Sequence, residues 1–169
     1  QKLLDPLHTE SDLAELDGLG LIPTVTTFAA DKVTHQVVAG MATGVLIGME
    51  PVDGPLTGYE IHMGRTEFTA PVSPAFTIRQ RSGAAVDFVD GCVSADGLAM
   101  GTYIHGIFDN DGYRRSLLDA LRCRKGLPAA AEIAIPYRQR KEAAYDRLAD
   151  LVRANLDMAY VHKVMGLES

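Results

Sequence analysis

Gly101-Thr102-Tyr103-Ile104-His105-Gly106-Ile107-Phe108-Asp109-Asn110 is the stretch where an apolar strand pattern gives way to a helix start, and the architecture on either side can be read outward from it. A histidine ends the strand and a glycine follows at once. A side chain at the end of a strand is held rigidly yet still reaches a cleft, and glycine leaves room for a substrate backbone. Imidazole titrates near neutral pH, so His105 could take a proton from a thiol and later return one to a leaving amine. A strand-end histidine that only hydrogen-bonds has the same sequence, so spacing alone leaves both readings open.

Toward the C-terminus, Asp109, Asn110 and Asp111 offer N-cap side chains, and Tyr113, Leu117 and Leu121 recur at four-residue spacing until Gly126 and Pro128. This predicts one amphipathic helix. A second follows Pro136, with Ala144, Leu148, Leu151, Val152, Leu156 and Ala159 on an apolar stripe that should pack on a sheet. Residues 129–135 read as an extended connection between the two.

Toward the N-terminus the pattern is mostly β. Residues 22–28 read as a strand, and 33–38 with 45–47 as a hairpin, Gly40 and Gly44 lying between them. Residues 59–63 follow the Gly54-Pro55 turn, and 76–80, 84–89, 92–94 and 98–104 are further short strands. In the 59–63 strand, Tyr59, Ile61 and Met63 share one face, while Glu60 and His62 share the other. Two ionisable groups projecting together can line a cleft, although an exposed strand face looks the same. The opening Gln1-Lys2-Leu3-Leu4-Asp5-Pro6 resembles a helix end running into a proline stop, as though the chain began inside a domain.

Composition narrows the function classes. With 169 residues, 47% of them hydrophobic, the chain can bury a core. A net charge of -6, with basic residues interspersed among acids, argues against nucleic acid. No window is apolar enough to span a bilayer and no signal peptide is evident, so a cytoplasmic protein without a membrane partner is expected. The two cysteines, Cys92 and Cys123, lack histidines at ligand spacing, so neither a disulfide framework nor a metal site is expected.

Two motifs carry a specific resemblance, GYEIHMGRT at 58–66 and GTYIHGIFDN at 101–110. They are supported by GLGLIPTVTTF at 18–28, DGCVSADG at 90–97 and YRRSLLDALR at 113–122. Together they resemble the C-terminal part of the glutamine amidotransferase domain of the cobyric acid synthase family, over essentially the whole chain. The resemblance implies an α/β structure: a partial class I amidotransferase (flavodoxin-like) fold with a mixed sheet and two C-terminal helices. It implies that residues 1–169 are the C-terminal portion of that domain. The nucleophilic cysteine, on a strand-to-helix elbow of the type GxCGGxQMLG, is then missing upstream of Gln1. By motif, His105 corresponds to the catalytic histidine, and Tyr59, Glu60 and His62 to a segment near the glutamine site.

The family is a ligase that hydrolyses glutamine and delivers ammonia for ATP-dependent amidation of corrinoid carboxylates in cobalamin biosynthesis. ATP and magnesium belong to a synthetase domain absent from this chain, which also provides the contact with the corrinoid. The chain alone is therefore expected to be inactive. Ile107 stands where broader class I amidotransferases often place an acid two residues after the histidine, which implies a cysteine and histidine dyad. The tautomer would then be fixed by Glu60, a backbone carbonyl or water. Cys123, among Arg122, Arg124 and Lys125, and Cys92, beside Gly91, lack an elbow and read as packing residues. The rivals are the related a,c-diamide synthase, which favours an HLHF-type pattern after the histidine, the amidotransferase of peptidoglycan lipid precursors, and a non-catalytic binding domain.

Overall fold

The computed structural model describes residues 1–43, 45–130 and 135–167. The chain divides into two units, Gln1–Ala131 and Glu132–Ser169. The first holds a mixed eight-stranded sheet whose hub is β3 (Thr24–Met41). Its β-branched residues favour extended backbone throughout, so the strand runs on past residue 28 with only a register shift between Phe28 and Val33. Residues 45–47 are not its hairpin partner: Ile47 and Gly48 both have positive φ and turn the chain. Gly44 lies outside the described residues. The partner is β4 (Leu56–Phe68), antiparallel to β3 along its length.

β1 (Lys2–Leu4) lies parallel to β3 at Val25–Thr27, and β2 (Glu15–Asp17) is antiparallel to β1. The helix end expected around Gln1 is therefore a strand. Its exit turn is set by the Asp5 carboxylate, which accepts the backbone N–H groups of Thr9, Glu10 and Ser11 at 2.8, 2.8 and 2.9 Å. β5 (Ser73–Arg81) and β6 (Ala84–Val93) form a hairpin through Ser82 and Gly83, both at positive φ, as a tight two-residue turn requires. The strands expected at 84–89 and 92–94 are one element with Gly91 at φ 67° inside it.

The segment expected as a single strand over 98–104 changes partners midway. β7 (Met100–Gly101) pairs with β6, whereas β8 (Ile104–His105) pairs with β4. Residues 100–105 thus span from one side of the sheet to the other. A 3-10 turn (Ile107–Asp109) leads into α1 (Asp111–Arg124). Asn110 occupies the N-cap position, but its side chain makes no capping bond. It accepts from Thr57 N at 2.9 Å and donates to Thr57 O and Ile107 O at 2.8 and 2.9 Å, tying the helix start to β4. The core includes Val37, Leu56, Phe76, Ile78, Ile104, Ile107 and Tyr113, so the site-bearing segment is anchored by its own buried Ile104 and Ile107.

The second unit contains α2 (Tyr137–Asn155) and α3 (Met158–Val164), so the described residues form three α-helices where two were expected. Leu156 closes α2 in an extended conformation, and the Asp157 side chain caps α3 by accepting Tyr160 N. That break was not visible in a periodic stripe running through Ala159. Taken by itself, α2 has no buried residue, and Leu148 on its apolar stripe is 56% exposed. Periodicity sets which side of a helix is apolar, not whether another element covers it.

Candidate active site

His105 stands at the end of β8 directly opposite Tyr59 on β4, with Ile104 opposite Glu60. The approach is close because residue 58 is glycine. A Cβ there would lie 2.5 Å from the His105 carbonyl oxygen. Gly106, at φ 74°, turns the chain away immediately after the histidine. The imidazole is exposed, its ring parallel to that of Tyr59 at 5.4 Å between centroids. Nε2 donates to the Ile61 carbonyl at 3.2 Å. A carbonyl can only accept, so this bond places the neutral ring's proton on Nε2 and leaves the lone pair on Nδ1 as the base.

His105 borders a cavity of about 640 Å³ whose wall includes His62, Asp90, Thr102 and Tyr103. The His62 ring stacks on Tyr103 at 3.9 Å. Its Nδ1 donates to Gly64 O at 2.8 Å, and its buried Nε2 has no hydrogen-bond partner. Tyr103 is pinned from the far side by a chain of hydroxyls, Thr26 to Thr66 at 2.7 Å and Thr66 to Tyr103 at 2.6 Å. Tyr59 lines a second cavity of about 440 Å³, together with Gln36, Gln80 and Asp109.

Glu60 is placed differently from the expectation. It is 2% exposed, lines neither cavity, and both its oxygens are held by Arg81, from Nε at 2.8 Å and Nη2 at 3.1 Å. The group that fixes the His105 tautomer is therefore a main-chain carbonyl, not Glu60. Strand alternation put Glu60 and His62 on one face but could not show that an arginine of β5 claims the carboxylate.

The sequence reading missed Asp90, which is 6% exposed on β6. Its carboxylate accepts from the Thr102 hydroxyl and from Tyr103 N at 3.3 Å. Burial pushes its pKa up, the bonds from Thr102 and Tyr103 pull the other way, and the nearby Glu60 charge adds to the rise. Asp90 opens the DGCVSADG motif at 90–97, but its Asp90-Gly91 pair reads as an ordinary turn dipeptide.

Neither cysteine has the setting of an activated thiol. Cys92 contributes to the cavity wall but is 1% exposed, and burial with the Asp90 charge pushes its pKa up. A catalytic thiol needs the opposite shift. Cys123 is exposed on α1. Among the described residues, no group of three or more His, Cys, Asp or Glu side chains is placed to hold a metal ion, and no helix is long and apolar enough to cross a membrane.

Residues 1–113 match the CobB/CobQ-like glutamine amidotransferase domain. Over 97% of its length the chain is 47% identical to the cobyric acid synthase of Sorangium cellulosum (strain So ce56), covering 33% of that protein. It is 42% identical to the cobyric acid synthase of Dehalococcoides mccartyi (strain CBDB1), with 97% of the chain and 32% of the relative aligned. With the cobyric acid synthase of Clostridium botulinum (strain Langeland / NCTC 10281 / Type F) it shares 39% identity, over 99% of the chain and 32% of the relative. The chain thus spans about a third of the length of the curated relatives it matches.

Proposed function

The chain belongs to the CobB/CobQ-like glutamine amidotransferase domain family, and from that premise we propose that it forms the C-terminal portion of the glutaminase of a cytoplasmic cobyric acid synthase. In this reading a cysteine thiolate attacks the carboxamide carbon of glutamine. His105 protonates the departing ammonia and then serves as base for the water that hydrolyses the glutamyl thioester. The ammonia is used elsewhere in the enzyme for ATP- and magnesium-dependent amidation of corrinoid carboxylates, in cobalamin biosynthesis. The thiolate comes from a part of the domain outside residues 1–169, since Cys92 is buried with a raised pKa and Cys123 has no glycine-rich elbow around it.

One observation carries the proposal: an imidazole with a single fixed tautomer stands at a strand end on the rim of a cavity. Tyr59 and His62 supply the walls beside it, Tyr59 by stacking and His62 from within the cavity. Glu60, between them in the strand, is buried and held by Arg81. The test is ammonia release from glutamine by the full-length gene product, where His105→Asn should lower kcat by about 10²- to 10⁴-fold, the usual contribution of a general acid and base. The 169-residue chain by itself should release none. Turnover by that chain that disappears on replacing Cys92 or Cys123 would overturn the proposal.

A further inference from the structure

Residues 100–105 reach His105 by crossing from β6 to β4, with only two paired residues at each end. So short a ladder cannot by itself fix a side chain to within the fraction of an ångström that proton transfer needs. Between the two ladders lie Thr102 and Tyr103, and both are held by one carboxylate.

We infer that Asp90 is a positioning residue for His105, clamping the crossing segment so that the imidazole is presented at a fixed distance from its partner thiol. Asp90 accepts from the Thr102 hydroxyl and from Tyr103 N, and the Thr102 oxygen in turn accepts from Ile104 N at 3.0 Å. The chain of bonds therefore runs from the β6 backbone to the residue immediately before His105. Beside it, Gly91 has φ 67°, and a Cβ there would collide with the Gly101 carbonyl, so β6 and the crossing segment touch main chain to main chain. The opposite end is closed by Gly58 against the His105 carbonyl.

A carboxylate kept in so buried a place against the cost of its burial needs a return. The Asp90 carboxylate takes its hydrogen bonds from the Thr102 hydroxyl and Tyr103 N, while the charge of His62 favours its ionised form and that of Glu60 opposes it. Its bonding partners lie in the crossing segment, and that segment ends at His105.

This inference rests on the glutaminase reading for its kinetic arm only. In the full-length gene product, Asp90→Asn should lower kcat about 10- to 100-fold with KM within about threefold of wild type, because the loss is in alignment rather than in binding. With histidines labelled at Cε1, the His105 resonance, assigned through His105→Asn, should move as its parallel stacking on Tyr59 is lost. A folded Asp90→Asn protein with wild-type kcat and an unmoved His105 signal overturns the inference. So does an Ile78→Val control of equal stability loss that changes both readouts as much. Should Asp90→Asn fail to fold, Thr102→Val keeps the carboxylate but removes the hydroxyl link. It should show both effects at smaller amplitude, and showing neither overturns the inference. If wild type does not hydrolyse glutamine the glutaminase reading fails, while the His105 resonance still decides on Asp90.

Discussion

A histidine whose Nε2 donates to a main-chain carbonyl is fixed in one tautomer by atoms that no substitution at other side chains removes. That is why Ile61 O, rather than an acid, can orient His105. The two thiols differ in access, Cys92 being buried and Cys123 exposed. Nucleophilicity needs access and a stabilised thiolate, and Cys92, 1% exposed with its pKa pushed up by burial, has neither. Iodoacetamide should therefore modify Cys123 in the native protein and reach Cys92 only after unfolding, as mass spectrometry of tryptic peptides would show. Rapid native labelling of Cys92 would mean that the cavity wall opens. The chemistry of His105 and the inertness of Cys92 both depend on neighbours distant in sequence, which is why residue type named the histidine but not its partner.

At the scale of elements, local side chains set several boundaries that periodicity alone misplaced. Asp5 is the clearest case, a buried carboxylate that gathers three consecutive N–H groups and so ends β1 in a turn. Burial pushes its pKa up, yet the donors from Thr9, Glu10 and Ser11 together hold it below the ordinary value of 3.8. A carboxylate depressed in the folded state binds fewer protons there than in the unfolded chain. Its stabilisation is therefore complete above the unfolded pKa and is lost as pH falls through the folded one. Wild type should melt above Asp5→Asn by a constant margin above about pH 4, and the margin should close on further acidification. A margin that did not narrow at all on acidification would contradict the donor geometry. Asn110 is a second case: a residue suited to capping α1 instead bridges to Thr57, which fixes the helix start to the strand that carries Tyr59.

For the whole molecule, the consequential difference lies between a unit with a core and one in which none of the described residues is buried. Ile78 is fully enclosed at the centre of the sheet, and Ile78→Ala should cost about 2–5 kcal/mol by urea denaturation. Leu148→Ala on α2 should stay within about 0.5 kcal/mol of wild type, since its side chain is 56% exposed. A large loss at Leu148 would show that the stripe is covered in solution. Composition and strand alternation were enough to determine a mostly β chain with a helix after residue 110, and the paired motifs around Tyr59 and His105 carried the resemblance that implied the amidotransferase fold and pointed to His105. These are local signals, carried by residue type and by spacing within one element. Only the tertiary structure decided that residues 24–41 form one strand pairing on both sides, that Arg81 takes Glu60, and that Asp90 holds the segment leading to His105. Those outcomes depend on which buried polar groups meet across strands far apart in sequence, and a buried charge takes whatever partner the packing brings within reach.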